Sequence, residues 1–414
     1  MNNSLVRVAI AALFLSAGAL AYAQEKETIR PEVGKPLQAA QELLKSQKPK
    51  EALAEIDKAE AIANKTAFES YLIERMRASA AAGAGDVPAA IKAFEAVIAS
   101  GRLQPSEQMP MIQALAGSYY RQKDYPKAIA WAARYHKEGG TDPQLRLMLI
   151  HSYYQSGDFA NAAQEALTDI QADEKAGKAP SEDRLQLLAN SYLKQNDQNR
   201  YAYALEKLVT YYPKKDYWAD LLVRTQKKPT FADRLSIDVQ RLRFAADLMD
   251  GPEDYMELAQ TTLTAGYPAE AKRVIEKGYA AGVLGTGANA DRHKRMRELV
   301  DKKVAEDRKD LAGNKAENAA EAQKDGGLSL VNLGYAYVTD GQYDKGLALM
   351  ERGLAKGAGK GIPNKKPQDS RLHLGIAYLM AGKKERALET FNAVGGAHGA
   401  GDMARLWSIY ARQL

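Results

Sequence analysis

The chain has 414 residues, of which 45% are hydrophobic and 27% charged, and its formal net charge is +6. This composition supplies enough apolar side chains for a large core and argues against global disorder. Acidic and basic residues are interspersed, which argues against a nucleic-acid-binding surface. Because the chain has no cysteine, disulfides, cysteine-ligated metal and a cysteine nucleophile are excluded.

Residues 1–23 differ from the rest of the chain and predict a secretory signal peptide. Arg7 precedes an apolar run over residues 8–21, which is shorter than the ~20 residues that a membrane-spanning helix needs. Ala21 and Ala23 are the small residues of a cleavage site, so we expect cleavage before Gln24. The alternative is an uncleaved membrane anchor. We therefore expect a periplasmic protein, with full secretion as a second destination.

Residues 24–36 contain two prolines, Pro31 and Pro36, and predict an extended lead-in. Apolar residues at helical spacing begin at Leu37 and recur in short stretches, separated by turns, as far as residue 281. This pattern predicts an N-terminal array of helix pairs over residues 37–281.

One motif recurs within this array. Its three clearest copies are Leu115-Ala116-x-x-Tyr119, Leu149-Ile150-x-x-Tyr153 and Leu188-Ala189-x-x-Tyr192. The second copy follows the first after 34 residues, and the third follows after 39. A pair of short helices cannot bury its apolar face alone, so such a repeat indicates a stack of similar pairs.

The same motif returns near the C-terminus as Leu333-Gly334-x-x-Tyr337 and Leu374-Gly375-x-x-Tyr378, and residues 327–401 predict two further helix pairs. Residues 282–326 are charged and rich in glycine and alanine. They predict an exposed helix interrupted by Gly313, either a loose insertion or a degenerate repeat. Residues 402–414 predict an amphipathic helix that caps the last repeat.

The motif over residues 374–391, Leu-Gly-x-x-Tyr followed by Ala-x-x-x-Phe, resembles the tetratricopeptide repeat (TPR) family. The resemblance covers nearly all residues after the predicted signal peptide. It implies an all-α fold, an α-solenoid in which about nine helix pairs form a right-handed superhelix with a C-terminal capping helix. Family members generally bind peptides or protein segments on the concave face lined by their first helices, so the resemblance also implies a protein or peptide partner.

Two stretches carry a narrower resemblance, Tyr211-Tyr212-Pro213-Lys214-Lys215-Asp216-Tyr217-Trp218 and Gly266-Tyr267-Pro268-Ala269-Glu270-Ala271. They are similar to periplasmic TPR proteins that accompany TonB-type energy-transduction systems, which implies TonB-system components as partners. The chain departs from the chaperone subclass, because Gln113 and Gly117 stand where its carboxylate clamp has Lys and Asn.

The repeat register also predicts the partner-binding residues. Side chains that follow the motif positions on the central first helices should project into the groove, and aromatic and arginine side chains are common interface anchors. The predicted groove residues are Tyr120, Arg121, His151, Tyr154, Gln155, Asn190 and Lys194. The alternative is that they are solvated residues on a helix face.

No short motif indicates catalysis, a cofactor or a metal. The five histidines lack metal-ligand spacing. The glycine-rich stretch 357–361 lacks the first glycine and the Ser or Thr of a P-loop, and Gly285-x-Gly287-x-x-Ala290 follows a predicted helix rather than a strand. We therefore expect a non-enzymatic scaffold that requires no cofactor. Two alternatives remain, a polysaccharide export or synthesis scaffold and an envelope enzyme with a site of scattered carboxylates.

Overall fold

The computed structural model describes residues 27–358, 363–396 and 398–414. The predicted signal peptide and its cleavage site lie outside these residues, as does part of the glycine-rich loop, residues 359–362. The described residues form 21 α-helices and no strand, which confirms the predicted all-α, α-solenoid class. One compact unit ends at Asp197, and the other runs from Gln198 to Leu414.

The first unit consists of four successive helix pairs followed by a ninth helix. Its helices are α1 (Pro31–Lys45), α2 (Pro49–Glu60), α3 (Ala67–Ala84), α4 (Val87–Ala99), α5 (Pro105–Arg121), α6 (Tyr125–Lys137), α7 (Pro143–Gln155), α8 (Phe159–Lys175) and α9 (Glu182–Lys194). The first helices α1, α3, α5 and α7 each pack on the second helix of their pair. The first helices α5, α7 and α9 also pack in series, α5 on α7 and α7 on α9, so their exposed residues lie on neighbouring helices.

The same turn joins the two helices of several pairs. A residue with positive φ is followed by an aspartate that caps the second helix. The positive-φ residues are Gly85, Lys123 and Gly157. Asp124, for example, accepts a hydrogen bond from the backbone N–H of Lys127 at 3.2 Å, which satisfies one unpaired donor of the helix N-terminus. This local chemistry fixes where α4, α6 and α8 begin.

The core of the first unit combines small and large side chains where helices cross. Ala128 and Ala132 on α6 are fully buried, and so is Leu115 on α5. Alanine lets the two helix backbones approach closely, and leucine fills the adjacent gap. Burial of each such leucine contributes about 1.5–3 kcal/mol.

The prediction of an extended lead-in over residues 24–36 is wrong from Pro31 onward. Helix α1 begins at Pro31, and Pro36 lies inside it. Proline is well suited to the first helical position, because its missing N–H has no intrahelical partner there. Val33 and Leu37 anchor the helix in the core, so tertiary packing outweighs the missing hydrogen bond at Pro36.

The second unit contains twelve helices. They are α10 (Gln198–Tyr211), α11 (Lys215–Gln226), α12 (Ser236–Ala245), α13 (Pro252–Thr264), α14 (Pro268–Ala280), α15 (Ala290–Leu311), α16 (Lys315–Ala322), α17 (Leu328–Thr339), α18 (Tyr343–Ala358), α19 (Pro367–Met380), α20 (Lys384–Asn392) and α21 (Ala400–Gln413). A short 3₁₀ helix, Asp233–Leu235, precedes α12.

Residues 282–326 form a packed helix pair, α15 and α16, rather than a loose insertion. Val300 and Val304 of α15 are buried in the cluster formed with α13 and α14, and α16 packs on α17. Gly313, at φ +77°, separates the two helices. The helix break at Gly313 therefore lies where the sequence predicts it, and both helices pack on neighbouring helices.

Helix α21 contacts both ends of the second unit. It packs on α19 and α20, and it also packs on α10 and α12, which lie some 150 to 200 residues earlier. Met403, Leu406 and Trp407 supply its buried face. The sequence predicts a cap over the last repeat but does not predict the second contact.

Candidate protein-binding surfaces

The seven predicted groove residues lie on three neighbouring helices of the first unit, α5, α7 and α9. We call this surface the first-helix face. His151 and Asn190 occupy equivalent repeat positions, Tyr120 and Tyr154 occupy another, and Arg121, Gln155 and Lys194 a third. Because α7 packs on both α5 and α9, the structure places these residues on adjacent helices of one unit.

Four of the seven side chains are exposed, namely Arg121, Gln155, Asn190 and Lys194. Among the described residues, the side chains of Gln155, Asn190 and Lys194 have no hydrogen bond or ion pair. Arg121 donates only to the hydroxyl of Ser118 on its own helix, at 3.1 Å. These polar groups are therefore available to a partner without the loss of an existing interaction.

The two tyrosines differ from the prediction, because neither projects freely from the surface. Both are half-buried. The Tyr120 ring lies edge-on to Tyr125, with centroids 6.0 Å apart, and Tyr154 lies edge-on to Phe159 at 5.2 Å. In each case the tyrosine packs on the first residue of the following helix. Burial also raises the pKa of Tyr120. Each ring is therefore held against the following helix and remains partly exposed.

His151 is half-buried on α7. Burial lowers its pKa, and the carboxylate of Asp183 on α9 partly opposes that shift. At neutral pH the imidazole is therefore uncharged and acts as a hydrogen-bonding group. The fixed positive charges of the predicted set are Arg121 and Lys194.

A second surface lies in the second unit and was not predicted from the sequence. Facing stripes of α13 and α15 line an open cleft with a volume of about 570 Å³. It is lined by Glu253, Met256, Glu257, Gln260, Thr261, Arg292, Arg295, Met296 and Leu299. We call it the α13/α15 trough. Residues 282–326 are rich in charged residues and carry no repeat motif. The spacing of their apolar residues is therefore the only feature of this stretch that could have indicated the trough.

A buried polar cluster also lies within the second unit. Arg241 donates to Glu270 at 2.7 and 2.9 Å and to Asp238 at 2.9 Å, and its guanidinium lies 4.7 Å from the Tyr335 ring centroid. Burial opposes ionisation of Asp238, but contact with His373 and Arg241 holds its pKa below the ordinary value. The charges satisfy one another, so we interpret this cluster as structural.

Two features are absent from the part of the chain that the structure describes. No group of three or more His, Asp or Glu side chains is arranged to hold a metal ion. Among the same residues, every helix is too short or too polar to cross a bilayer.

Family models for the tetratricopeptide repeat match three segments of the chain. One matches residues 75–144 and 331–400, and another matches residues 185–215. No curated protein matches the chain.

Several solved structures are similar to the chain at low sequence identity. The TPR2AB-domain:pHSP90 complex of yeast Sti1 is 11% identical, with 75% of this chain and 100% of that chain covered and a TM-score of 0.25. Yeast Tom70 is 9% identical, with 92% of this chain and 96% of that chain covered and a TM-score of 0.24. At these scores, the repeat assignment rests on the family models and on the helix pairs. Residues 75–144, 185–215 and 331–400 of this chain are tetratricopeptide repeats.

Proposed function

We propose that this protein is a non-enzymatic scaffold that binds a peptide segment or a partner protein on its first-helix face. One observation carries the proposal. Equivalent positions on α5, α7 and α9 carry the exposed side chains of Arg121, Gln155 and Lys194. Among the described residues, Arg121 donates only to Ser118 on its own helix, and the side chains of Gln155 and Lys194 have no partner. A row of such groups beside two oriented tyrosine rings is suited to recognition of another chain.

A triple substitution tests this surface. Arg121→Ala, Tyr154→Ala and Lys194→Ala together should weaken the capture of a crosslinked partner at least tenfold, because they remove two cations and one aromatic anchor. The measurement is a crosslinking pull-down from the periplasm, followed by a titration with the purified partner.

The matched control is Lys137→Ala, Gln171→Ala and Lys175→Ala on the second helices α6 and α8. These residues are also exposed. The control removes two positive charges, the same number as the triple variant on the first-helix face. Affinity should stay within about twofold of the wild type. If both triple variants bind the partner equally well, the first-helix face is not the binding surface.

The proposal includes export to the periplasm, which the predicted signal peptide supports. Intact-mass measurement of periplasmic material should give a chain that begins at Gln24. Retention of residues 1–23 would contradict cleavage at this site and favour an uncleaved anchor.

The resemblance over residues 211–280 favours one setting for this scaffold, a TonB-type energy-transduction system. The same pull-down tests it, since components of that system should be recovered with the wild-type protein and not with the triple variant on the first-helix face. Recovery of glycan synthesis or export proteins instead would assign the scaffold to that pathway.

A further inference from the structure

We propose that a small cleft in the second unit binds the phosphate group of a small soluble molecule. The cleft has a volume of about 140 Å³ and lies where the 3₁₀ helix and the start of α12 meet α17 and the start of α19. We call it the α12/α19 cleft. It belongs to the other unit from the first-helix face, and the proposal does not depend on the scaffold function.

Two ion pairs hold the walls of the cleft together. The guanidinium of Arg234 donates to both carboxylate oxygens of Asp369, at 2.6 and 3.0 Å. The Nε2 atom of His373 lies 3.0 and 3.2 Å from the two oxygens of Asp238. Each pair joins residues that are 135 positions apart in the chain. The cleft is therefore formed before any ligand enters, which lowers the cost of binding.

The hydrogen-bond acceptors of the cleft are already in use. Arg234 occupies both oxygens of Asp369, and His373 contacts both oxygens of Asp238, one of which also accepts from Arg241 at 2.9 Å. The cations beside these carboxylates also balance their negative charges. A ligand that is positively charged or rich in donors would therefore find no free acceptor on these two side chains.

Several donors of the cleft, in contrast, are unused. The ammonium group of Lys366 and the side-chain amide of Asn332 are exposed, and neither has a hydrogen bond or ion pair in the described part of the chain. Ser370 is only 1% exposed. Its hydroxyl oxygen accepts from Asn364 at 2.9 Å, while its own hydrogen has no acceptor among the residues that the structure describes. This surplus of donors, with one unbalanced ammonium, favours an anion with several acceptor oxygens.

The placement of these donors favours a phosphate group over a carboxylate. Asn332 lies on α17, Lys366 directly precedes α19, and Ser370 lies in the first turns of α19, so donors reach the cleft from more than one side. A carboxylate presents its two oxygens in one plane, whereas a phosphate group presents three strong acceptor oxygens around its phosphorus atom. The volume matches that of about five water molecules at ~30 Å³ each, which leaves room for a phosphate group but not for a peptide segment.

Isothermal titration calorimetry of the mature full-length protein tests the proposal, with inorganic phosphate as the probe at constant ionic strength. We expect one saturable site per chain with a Kd below ~1 mM. Acetate, which is planar, should bind at least tenfold more weakly. The proposal is overturned if phosphate shows no saturable binding in this range. It is also overturned if acetate binds as tightly as phosphate, since the cleft would then be a carboxylate site.

Two substitutions locate the binding of phosphate. Lys366→Gln removes the unbalanced charge and should weaken binding at least tenfold, and Asn332→Ala should weaken it at least threefold. Both side chains are exposed, and circular dichroism should show an unchanged fold. The matched control is Lys365→Gln, at an exposed lysine that does not line the cleft, and its affinity should stay within about twofold. An equal loss for Lys365→Gln and Lys366→Gln would show that phosphate senses only net charge, and the cleft assignment would fail.

Two further probes identify the source of the phosphate group. Glycerol 3-phosphate that binds more tightly than inorganic phosphate would assign the cleft to a phosphate ester, and the reverse order would assign it to the free ion. Sedimentation with vesicles of phosphatidylcholine and phosphatidic acid in equal parts tests a lipid headgroup. Binding of these vesicles, with neither soluble probe bound, would overturn the proposal.

The triple variant on the first-helix face keeps this proposal separate from the scaffold function. It should bind phosphate with wild-type affinity while losing the crosslinked partner. Lys366→Gln should show the opposite behaviour, with normal capture of the partner and weakened phosphate binding. Loss of phosphate binding in the triple variant but not in Lys366→Gln would sink the cleft assignment and leave the scaffold function in place.

Discussion

The guanidinium of Arg405 forms a two-pronged ion pair with the carboxylate of Glu206, although 199 residues separate them in the chain. The Nε and Nη2 atoms of Arg405 each lie 3.0 Å from one oxygen of Glu206. Nearby, the Tyr410 hydroxyl donates to the carbonyl of Ala245 at 2.9 Å. Helix α21, the last helix of the second unit, is thus joined to α10 and α12 near the start of that unit.

We expect the apolar contacts of α21, rather than this ion pair, to stabilise the packing of this helix. Trp407 is buried and lies 6.4 Å from Phe391, ring centroid to centroid. Trp407→Ala should lower the free energy of unfolding by about 3–5 kcal/mol, the range for large aromatic residues in cores. Arg405→Ala breaks a pair that is partly solvated and should cost ~1 kcal/mol or less. Denaturant melts compare the two, and a larger loss for Arg405→Ala would contradict this ranking.

The helix pairs could be predicted because their signals are local. A motif such as Leu188-Ala189-x-x-Tyr192 fixes which side of a helix is apolar, and a residue such as Gly157 followed by Asp158 marks the next helix start. The contact between α21 and α10 could not be predicted, since it depends on small rotations between helices accumulated over about 200 residues.

For the candidate sites, too, the sequence predicts local features but not contacts between separate helices. The repeat register placed the first-helix residues on adjacent helices, because that register is a local property. It did not predict that Tyr154 packs on Phe159, nor that Leu299 lines a trough. Both depend on where side chains of separate helices meet.

A second prediction concerns the glycines where α17 and α18 cross. A Cβ atom on Gly334 would lie 2.6 Å from the carbonyl oxygen of Gly346, and one on Gly346 would lie 2.5 Å from the carbonyl oxygen of Gly334. Gly334→Ala should raise helix propensity yet lower the free energy of unfolding by about 1–3 kcal/mol, because the two backbones must separate. The measurement is a denaturant melt.

The control for this prediction is Gly251→Ala. Gly251 has extended backbone at φ −171°, and a Cβ atom there would meet no atom within 4 Å. The free energy of unfolding of Gly251→Ala should differ from that of the wild type by less than about 0.5 kcal/mol. Equal effects at Gly334 and Gly251 would show that the helices do not cross at the distance described.

A third prediction concerns acid sensitivity at the start of α3. The Glu69 carboxylate accepts hydrogen bonds from the Arg30 side chain and from the backbone N–H groups of Thr66 and Arg30, which lowers its pKa to about 2. Because this value lies below the ordinary one, the stabilisation is present at neutral pH and is lost as the pH falls toward 2. Glu69→Gln should therefore be less stable than the wild type at pH 7, and the difference should shrink at pH 2.5.

Urea unfolding of both proteins at the two pH values measures this difference. Glu51→Gln is the control, since the Glu51 carboxylate has only an exposed contact with Lys48 at 3.4 Å. This variant should differ little from the wild type at either pH. A Glu69→Gln difference that stays constant between the two pH values would exclude a depressed pKa for Glu69.

The last prediction compares two neighbouring tyrosines, so that the chemistry of the substitution is held constant. Tyr153 packs against the core cluster of the first unit, and its repeat equivalents Tyr119 and Tyr192 are each only 4% exposed. Tyr154 is rotated by about 100° on α7 and packs on Phe159 at the surface. Tyr153→Ala should lower the free energy of unfolding by roughly 2–3 kcal/mol. This loss is smaller than that for truncation of a fully buried aromatic residue, because Tyr153 is half-buried.

Tyr154→Ala should cost about 1 kcal/mol or less and should weaken partner binding instead. Denaturant melts of both variants, followed by titration with the captured partner, separate the two effects. If Tyr154→Ala lost more stability than Tyr153→Ala and left affinity unchanged, α7 would be rotated from the orientation described. His151 and Gln155 would then also leave the first-helix face, because they share that helix, and the partner would have to bind elsewhere on the chain.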